Sequence, residues 1–469
     1  MKSFAFPRRR GNAALSEPIP PHARRAAVAG FLGTFIEYYD FALYGVLTVY
    51  FAPLFFPADN EAVSFLLGLA IFGAGFVARP VGGIVFGRIG DRRGRRTALI
   101  VTVALMGVCS TLMGLLPTYH AIGIFAPIAL VALRIGQGLS AGAEMLGSVT
   151  FAMESAPPSR RSLLASLTPY GAGLGGSSGA VLAAVLSLLV SGDFMAEHGW
   201  RIPFLVAAPL TFVAYFIRRG VEDSPEFVEM ARKKEIVKSP LRETLGRYRP
   251  QVLIAGGIAI GVNGAAGVAQ WFGVYLAGNR DLAVGTVLIT YAASMVLGAL
   301  WTPVWGAAAD RFGRQRLLTV VLVVFVILAG PILWLLSTAE NPFLLAVGMT
   351  AYLLLTNAVM APGFVLIAEL FPREVRYTGA NFGQNIGTVL GGGAAPLVCG
   401  ALLLATGSIL GPILWVFAVG VIGLAAIAVK RAMPGLTEVD KAGIPVSDVR
   451  LIPLVESDSA DLGSRSPSP

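Results

Sequence analysis

Five charged or amide side chains lie inside the first and fourth of the long apolar stretches of the sequence, where a charge needs a partner or access to water. Glu37 and Asp40 are three residues apart in the first stretch, and Arg134, Gln137 and Glu144 belong to the fourth. With about 1.5 Å rise and 100° rotation per helical residue, Glu37 and Asp40 share a helix face near mid-length, and the other three fall within an arc of about 80°. This placement predicts a buried polar site formed by two helices.

The chemistry that such a site offers is reversible protonation. Two neighbouring carboxylates beside an arginine can differ in proton affinity, so that one of them binds and releases a proton near neutral pH. We therefore predict that Asp40, Glu37, Arg134 and Glu144 form a proton-coupling group. The alternative is a structural ion pair that joins the two helices, and for Glu144 and Arg79 this alternative has equal weight. The histidines, which all lie outside the apolar stretches, are His22, His120 and His198.

Further polar side chains in the apolar stretches could contact a substrate. Asn263 and Gln270 are seven residues apart and therefore share a helix face. The predicted substrate-binding set is Arg134, Tyr38, Gln137, Asn263, Gln270, Asn357 and Gln384. Hydrogen bonding between helices is the alternative role for the amide side chains.

A glycine-rich charged segment occurs twice in the chain. Residues 87–95 read GRIGDRRGR and residues 306–314 read GAAADRFGR, so that Gly, Asp, Arg, Gly and Arg coincide at an offset of 219. Glu, Pro and Arg at 154, 157 and 161 recur at 369, 372 and 376, at an offset of 215. Asp91 could accept hydrogen bonds from a facing helix N-terminus, and Arg95 could pair with Glu154. The predicted gate consists of Gly87, Asp91, Arg92, Gly94, Arg95, Glu154, Asp310, Arg311 and Arg314.

These residues must be positioned by helices that cross a membrane. The 469-residue chain is 55% hydrophobic and only 13% charged, whereas soluble domains carry about 25% charged residues. Apolar runs long enough to span a bilayer occur at 26–50, 63–86, 97–116, 122–153, 163–190, 202–217, 251–277, 283–309, 317–336, 342–368, 378–405 and 409–429. Both repeats fit a duplicated six-helix unit.

The distribution of basic residues predicts the topology. Alternate connections and the two tails hold 32 of the 36 Lys and Arg residues, which places both termini in the cytoplasm. The predicted division is a cytoplasmic N-tail (1–25), a first six-helix bundle (26–217), a cytoplasmic linker (218–250), a second bundle (251–429) and a disordered cytoplasmic C-tail (430–469). The basic residues of the predicted cytoplasmic segments therefore account for the net charge of +9, and no nucleic-acid partner is expected.

Several motifs resemble those of one transporter family. The segment from Gly87 to Arg96 is similar to the signature of the major facilitator superfamily. Residues 37–41 (EYYDF), 79–83 (RPVGG), 134–138 (RIGQG), 200–204 (WRIPF) and 368–379 (AELFPREVRYTG) resemble its metabolite:proton symporter family. The resemblance implies twelve transmembrane helices in two bundles, alternating access, and a span-four arginine associated with proton coupling. The sequence departs from the family pattern at Tyr38, where tryptophan is usual.

The resemblance implies proton-coupled uptake of a small metabolite, and Arg134 favours an organic acid. Symport of a zwitterion such as proline or betaine is an alternative, as is proton-driven efflux of a hydrophobic compound. Efflux members carry a Gly-Pro pair inside span five, whereas here Pro169 precedes the glycine cluster. No phosphate loop, metal-ligand cluster or nucleophile elbow indicates an enzyme. We expect no cofactor and no metal, with protons, a small-molecule substrate and the lipid of the cytoplasmic membrane as partners of a monomer.

Overall fold

The computed structural model describes residues 18–57, 61–278 and 284–433, and these are helical with short connections. The helices of the first half are α1 (Pro21–Phe55), α2 (Glu61–Arg93), α3 (Arg95–Leu115), α4 (Phe125–Ser155), α5 (Leu167–Leu189) and α6 (Arg201–Arg219). Those of the second half are α7 (Arg249–Gly278), α8 (Val284–Leu300, continued by Thr302–Phe312), α9 (Arg314–Thr338), α10 (Pro342–Ala368), α11 (Arg376–Gly387, continued by Thr388–Gly393 and Ala395–Thr406) and α12 (Leu410–Ala432).

These helices are long and apolar enough to form a membrane domain. Within the described residues, ten helical stretches, one in each of α3 to α12, have the length and hydropathy to cross a bilayer. Helices α1 and α2 contain 35 and 33 residues, which corresponds to about 50 Å each. The protein is therefore an all-α membrane protein with twelve transmembrane helices in two six-helix bundles, as the sequence predicts.

Some helix pairs pack together within each half, and others join the two halves. In the first half α1 packs on α5 and α2 on α4, and in the second α7 packs on α11 and α12 and α9 on α10. The halves contact each other along α2 with α11 and along α5 with α8. We call the side that carries the α2–α3 and α8–α9 connections the basic side, which the sequence predicts to be cytoplasmic.

Glycine permits the two tight connections on the basic side. Gly94 joins α2 to α3 with φ of 105°, and Gly313 joins α8 to α9 with φ of 90°. A side chain would be strained in this left-handed region, so glycine is required where one helix follows another directly.

Four predicted boundaries differ from the helices. Helix α1 begins at Pro21, inside the predicted N-tail, because proline is well accommodated at the first helical position. Helix α6 continues to Arg219 and α7 begins at Arg249, so both extend into the predicted linker. Between them, Pro225–Lys233 and Pro240–Arg247 are two short helices. Helix α12 ends at Ala432, and the rest of the predicted disordered tail, 434–469, lies outside the described residues.

Candidate functional site

The first polar group joins α1, α3 and α4 in the interior of the first half. Nε2 of Gln137 donates hydrogen bonds to Oδ2 of Asp40 at 2.6 Å and to the Ser110 hydroxyl at 2.9 Å. Nη1 of Arg134 donates to Oε1 of Gln137 at 2.7 Å and lies 3.7 Å from Oδ2 of Asp40. The guanidinium of Arg134 also stacks on the ring of Tyr44, 3.9 Å from its centroid. The structure thus brings Asp40, Gln137 and Arg134 together, with Gln137 between the two charges.

A second pair lies one helical turn away and joins α1 to α2. Nη2 of Arg79 donates to Oε1 of Glu37 at 3.1 Å, and both side chains are buried. The guanidinium of Arg79 packs against the rings of both Phe41 and Phe76, 4.5 Å and 4.7 Å from their centroids. Tyr38 is half-buried beside this pair. Glu37 and Asp40 therefore face different arginines, although they share one face of α1.

Glu144 belongs to a third group and does not join Arg134. Its carboxylate pairs with the guanidinium of Arg218 and accepts from the hydroxyls of Thr102 at 2.8 Å and Ser148 at 3.1 Å. Arg218 is 2% exposed and also donates to the backbone carbonyl of Leu99. The expectation that Glu144 continues the Arg134 stripe into one site is therefore not met. Arg218 was missed because the sequence assigns it to the linker; the signal was a buried glutamate without an assigned cation.

Three of the four candidate substrate residues of the second half form hydrogen bonds between helices. Nε2 of Gln384 donates to Oδ1 of Asn263 at 3.1 Å, which links α11 to α7. Oδ1 of Asn357 accepts from the hydroxyl of Thr302 at 3.0 Å, which links α10 to α8. Gln270 is exposed. None of the hydrogen bonds described for these four side chains reaches Asp40 or Arg134, and three of the four make the helix–helix contacts that were the alternative interpretation.

Asn385, one of the polar residues of α11 that could contact a substrate, joins the two halves. Its Nδ2 donates to the backbone carbonyl of Gly142 at 2.6 Å, from α11 to α4. A Cβ built on Gly83 would lie 2.5 Å from the same Nδ2, which shows how closely α2 approaches α11 there. The indication in the sequence was a run of amide residues in a glycine-rich helix.

Two aspartates on the basic side each cap a helix of the other half. Asp91, at the end of α2, accepts from the backbone N–H of Tyr377 at 3.1 Å and of Thr378 at 2.9 Å, in the first turn of α11. Asp310, at the end of α8, accepts from the N–H of Ser162 and Leu163, both at 2.9 Å, in the short helix Arg161–Ala165 that precedes α5. The contact proposed for Asp91 from the sequence is present, and Asp310 repeats it.

Each aspartate is accompanied by an arginine and a glutamate. Arg95 pairs with Asp91 at 3.0 Å and with Glu154 at 3.2 Å. Arg314 pairs with Asp310 at 3.3 Å and with Glu369. We name these the first triad (Asp91, Arg95, Glu154) and the second triad (Asp310, Arg314, Glu369). The first triad is fully buried, whereas side chains of the second are up to 27% exposed.

The other predicted gate residues have smaller roles in these contacts. Gly87 lies against Thr378, because an added Cβ would come within 3.0 Å of its Cα. Arg92 and Arg311 are exposed. The sequence missed Glu226 of the linker helix Pro225–Lys233, which pairs with Arg161 at 3.1 Å and with Arg376 at 2.5 Å. Together these contacts close the gap between the halves on the basic side.

The sequence profile of the Major Facilitator Superfamily matches residues 30–396. The chain is 33% identical over 384 residues to the inner membrane metabolite transport protein YhjE of Escherichia coli (strain K12), covering 80% of this chain and 86% of that protein. It is 32% identical over 405 residues to a citrate-proton symporter of Klebsiella pneumoniae, covering 84% and 88%.

A solved structure shares the fold. The proton:xylose symporter XylE bound to 6-bromo-6-deoxy-D-glucose superposes with a TM-score of 0.68 at 15% identity. The alignment covers 88% of this chain and 95% of that chain. At this identity the likeness concerns the architecture of two six-helix bundles and carries no information about the substrate.

Proposed function

Because this chain belongs to the major facilitator superfamily, whose members are transporters and not enzymes, we propose that it carries a small organic acid into the cell together with protons. The observation that supports this most is the pair of buried carboxylate–arginine contacts, Asp40 with Arg134 and Glu37 with Arg79. Ions inside a membrane domain are costly, and they are commonly part of a substrate or proton pathway.

Asp40 is the proposed proton carrier. Gln137 and Arg134 engage Oδ2, while Oδ1 has no hydrogen-bond partner among the residues that the structure describes. A proton arriving on Oδ1 would neutralise the carboxylate and release Arg134 from its counter-charge. The freed guanidinium could then attract an anion, so that substrate binding and protonation would favour each other.

Arg79 is the proposed substrate contact that lies nearest to the path between the two halves. Its stacking partner Phe76 lies 3.6 Å from a Cβ built on Gly393 of α11, in the opposite half. A planar guanidinium can hold two carboxylate oxygens at once, which suits an organic acid. The citrate-proton symporter relative is consistent with such a substrate.

A second candidate is symport of a zwitterion. Two arginines face two carboxylates, so the group as a whole carries no net charge when Glu37 and Asp40 are ionised. An amino-acid-like substrate could use Arg79 for its carboxylate and Glu37 for its cationic group. The transport experiment described next distinguishes a zwitterionic substrate from an organic acid.

The test is transport by the purified protein in proteoliposomes with an imposed pH gradient, acid outside. We expect accumulation of a labelled di- or tricarboxylate that disappears when a protonophore dissipates the gradient. Gradient-driven accumulation of proline or betaine without any organic acid would select the zwitterion, and uptake insensitive to the gradient would reject proton coupling.

We also propose that the termini are cytoplasmic, which a reporter fused after the last residue can check, and that the protein is a monomer.

A further inference from the structure

A buried polar pair inside the second half, Gln384 of α11 with Asn263 of α7, has one hydrogen-bonding atom left over. The two side chains are 5% and 8% exposed. Nε2 of Gln384 donates to Oδ1 of Asn263 at 3.1 Å and to the Thr388 hydroxyl at 3.4 Å. Oε1 of Gln384 accepts from no residue that the structure describes. The NH2 group of Gln384 therefore makes the contact between the helices, while its oxygen makes none.

The neighbouring groups fix the orientation of the Gln384 amide. Nδ2 of Asn263 donates to the backbone carbonyl of Ala259 at 2.7 Å, so that Oδ1 of Asn263 must face Gln384. This oxygen requires a donor, and the NH2 group of Gln384 supplies it. The Thr388 hydroxyl donates to the backbone carbonyl of Gln384 at 3.1 Å and is free to accept from the same NH2 group. The unused atom of Gln384 is therefore an acceptor.

The undescribed parts of the chain lie too far away to supply the missing donor. From Asn263, α7 continues for 15 residues to Gly278 before the undescribed segment 279–283, which is about 22 Å along the helix axis. Segment 58–60 follows α1 at the same end of the molecule. The terminal segments leave from the basic side, where the first triad and Glu226 close the gap between the halves. The donor must therefore come from a bound molecule.

The register of α2 against α11 places this oxygen close to the level of Arg79. A Cβ built on Gly83 would lie 2.5 Å from Nδ2 of Asn385, and one built on Gly393 would lie 3.6 Å from the ring of Phe76. Arg79 lies between these two contacts along α2. Interpolation between them places the free oxygen on a residue about 8 Å from the level of Arg79 along the axis of α11. A small organic acid can bridge two side chains at this offset.

The space between these two sites is bordered by a neutral second half. Gly393 is exposed although a side chain there would face Phe76 of the first half, so the halves leave accessible space at this level. Arg79 pairs with Glu37 on the first-half side, whereas the described parts of α7–α12 contain no charged side chain away from the helix ends. A bound acid therefore meets a cation at one end and amides at the other.

We propose that Oε1 of Gln384 accepts a hydrogen bond from a hydroxyl group of the substrate while Arg79 holds a carboxylate, so that the protein selects hydroxy acids. This rests on the organic-acid transport proposed above and adds the group that the second half recognises. An ionised carboxylate has only acceptors and cannot satisfy this oxygen. An ammonium group would donate to it, but a neutral oxygen cannot balance the buried positive charge. A hydroxyl donates without bringing a charge into the neutral half.

The experiment compares acids that differ by one hydroxyl: malate with succinate, and citrate with tricarballylate. Affinities of the full chain in a neutral detergent are measured from the ligand-dependent shift in melting temperature, and uptake is measured in proteoliposomes with acid outside. The variant is Gln384→Leu, which has a similar volume and no polar atom. The matched control is Ser294→Ala, which removes another buried hydrogen bond between helices of the second half, the one from Thr350 at 3.0 Å.

In the wild type and in Ser294→Ala, the hydroxy acid of at least one pair should bind about 5- to 10-fold more tightly than its partner. In Gln384→Leu this preference should disappear, because the hydroxy acid binds more weakly while its partner binds as before. Gln384→Asn withdraws the amide by one methylene and keeps its polarity. It should show the same loss, and it replaces Gln384→Leu if leucine prevents folding.

Two results would overturn the proposal and leave organic-acid transport intact. One is equal affinity of the wild type for both members of each pair. The other is a preference for the hydroxy acid that is as large in the Gln384 variants as in the wild type. A wild-type protein that binds and accumulates none of the four acids would reject organic-acid transport itself, and the proposal with it.

Discussion

Asp40 is the residue on which proton coupling depends in the proposed mechanism. It is fully buried, and Gln137 fixes one of its oxygens beside Arg134. Asp40→Asn keeps the shape of the side chain but mimics a permanently protonated acid. We therefore expect loss of accumulation against a gradient, with retention of exchange of labelled for unlabelled substrate, since exchange requires no proton release. Both are measured side by side in proteoliposomes with an imposed pH gradient.

Glu37→Gln is the matched control for Asp40→Asn, because Glu37 lies one turn away and pairs with Arg79 instead. We expect it to change substrate affinity more than coupling. Gradient-driven accumulation by Asp40→Asn would contradict the assignment and move the proton site to Glu37 or Glu144. Loss of accumulation and exchange together would indicate that Asp40 binds substrate or maintains the fold.

Arg218 is predicted to be structural. Its guanidinium neutralises Glu144 inside the first half, and an added Cβ on Gly33 would collide with both side chains. Arg218→Leu leaves a buried carboxylate without its cation, which should cost about 3–5 kcal/mol of stability. The double variant Arg218→Leu with Glu144→Leu should recover most of that loss. Thermal unfolding in detergent measures both, and equal melting temperatures for Arg218→Leu and wild type would show that the pair contributes no stability.

Helical periodicity in the apolar runs predicted that Glu37 and Asp40 share one face of α1, and that Arg134 and Gln137 share one face of α4. Periodicity says nothing about which helix lies opposite. The partner of Glu37 is Arg79 on α2, and that of Glu144 is Arg218 on α6. Both pairings follow from helix packing, and Arg218 also lies in a charged stretch that reads as a linker. The sequence therefore predicted the members of the polar set better than their partners.

At the scale of elements, α2 and α4 pack with almost no space between their backbones. A Cβ on Gly142 would come within 2.0 Å of the backbone carbonyl oxygen of Arg79, and one on Gly138 within 2.1 Å of that of Gly75. Backbone atoms cannot yield as a flexible side chain can. Since Arg79 and Arg134 lie on these two helices, this contact also sets the distance between the two carboxylate–arginine pairs.

Gly142→Ala should therefore destabilise the first half by about 1–3 kcal/mol, as overpacking does, and lower transport with it. Gly45→Ala on α1 is the control, since its Cβ would meet no atom of the described residues within 4 Å. Thermal unfolding of the two purified variants provides the comparison. A melting temperature for Gly142→Ala as high as that of Gly45→Ala would show that α2 and α4 can separate at no cost.

The helices themselves were largely predictable, because a bilayer requires about 20 apolar residues per span and so the runs are long. The short linker helices were not, since Pro225–Lys233 and Pro240–Arg247 are polar and contain proline. Proline at the first helical position favours these helices, and Ser224 caps the first of them by accepting from the N–H of Phe227. Their position over the first triad depends on contacts of Ser224 and Glu226 that no local pattern encodes.

At the scale of the molecule, both halves contain the same triad of aspartate, arginine and glutamate, but the two triads are buried to different extents. Asp91 and Asp310 each cap a helix across the boundary between the halves, but Arg95 is fully buried and Arg314 is 19% exposed. When Asp310 is substituted, water can hydrate the charge of the partly exposed Arg314. The buried Arg95 has no such access to water when Asp91 is substituted. The contacts on the basic side can exist only while the halves are close together there. The first triad should therefore contribute more than the second to holding that side shut.

Asp91→Asn should shift the protein towards the state open on the basic side, slowing transport more than it weakens substrate binding. An asparagine keeps one acceptor but loses the charge that stabilises the first turn of α11, worth up to about 2 kcal/mol, or a change of about 30-fold in the balance of states. Ser166→Cys reports the opening, because Ser166 is buried where Gly306 of α8 approaches α5. In a background without Cys109 and Cys399, its alkylation should accelerate more in Asp91→Asn than in Asp310→Asn. Wild-type transport and alkylation rates in Asp91→Asn would reduce this aspartate to a folding residue, and a larger effect of Asp310→Asn would reverse the order assigned to the triads.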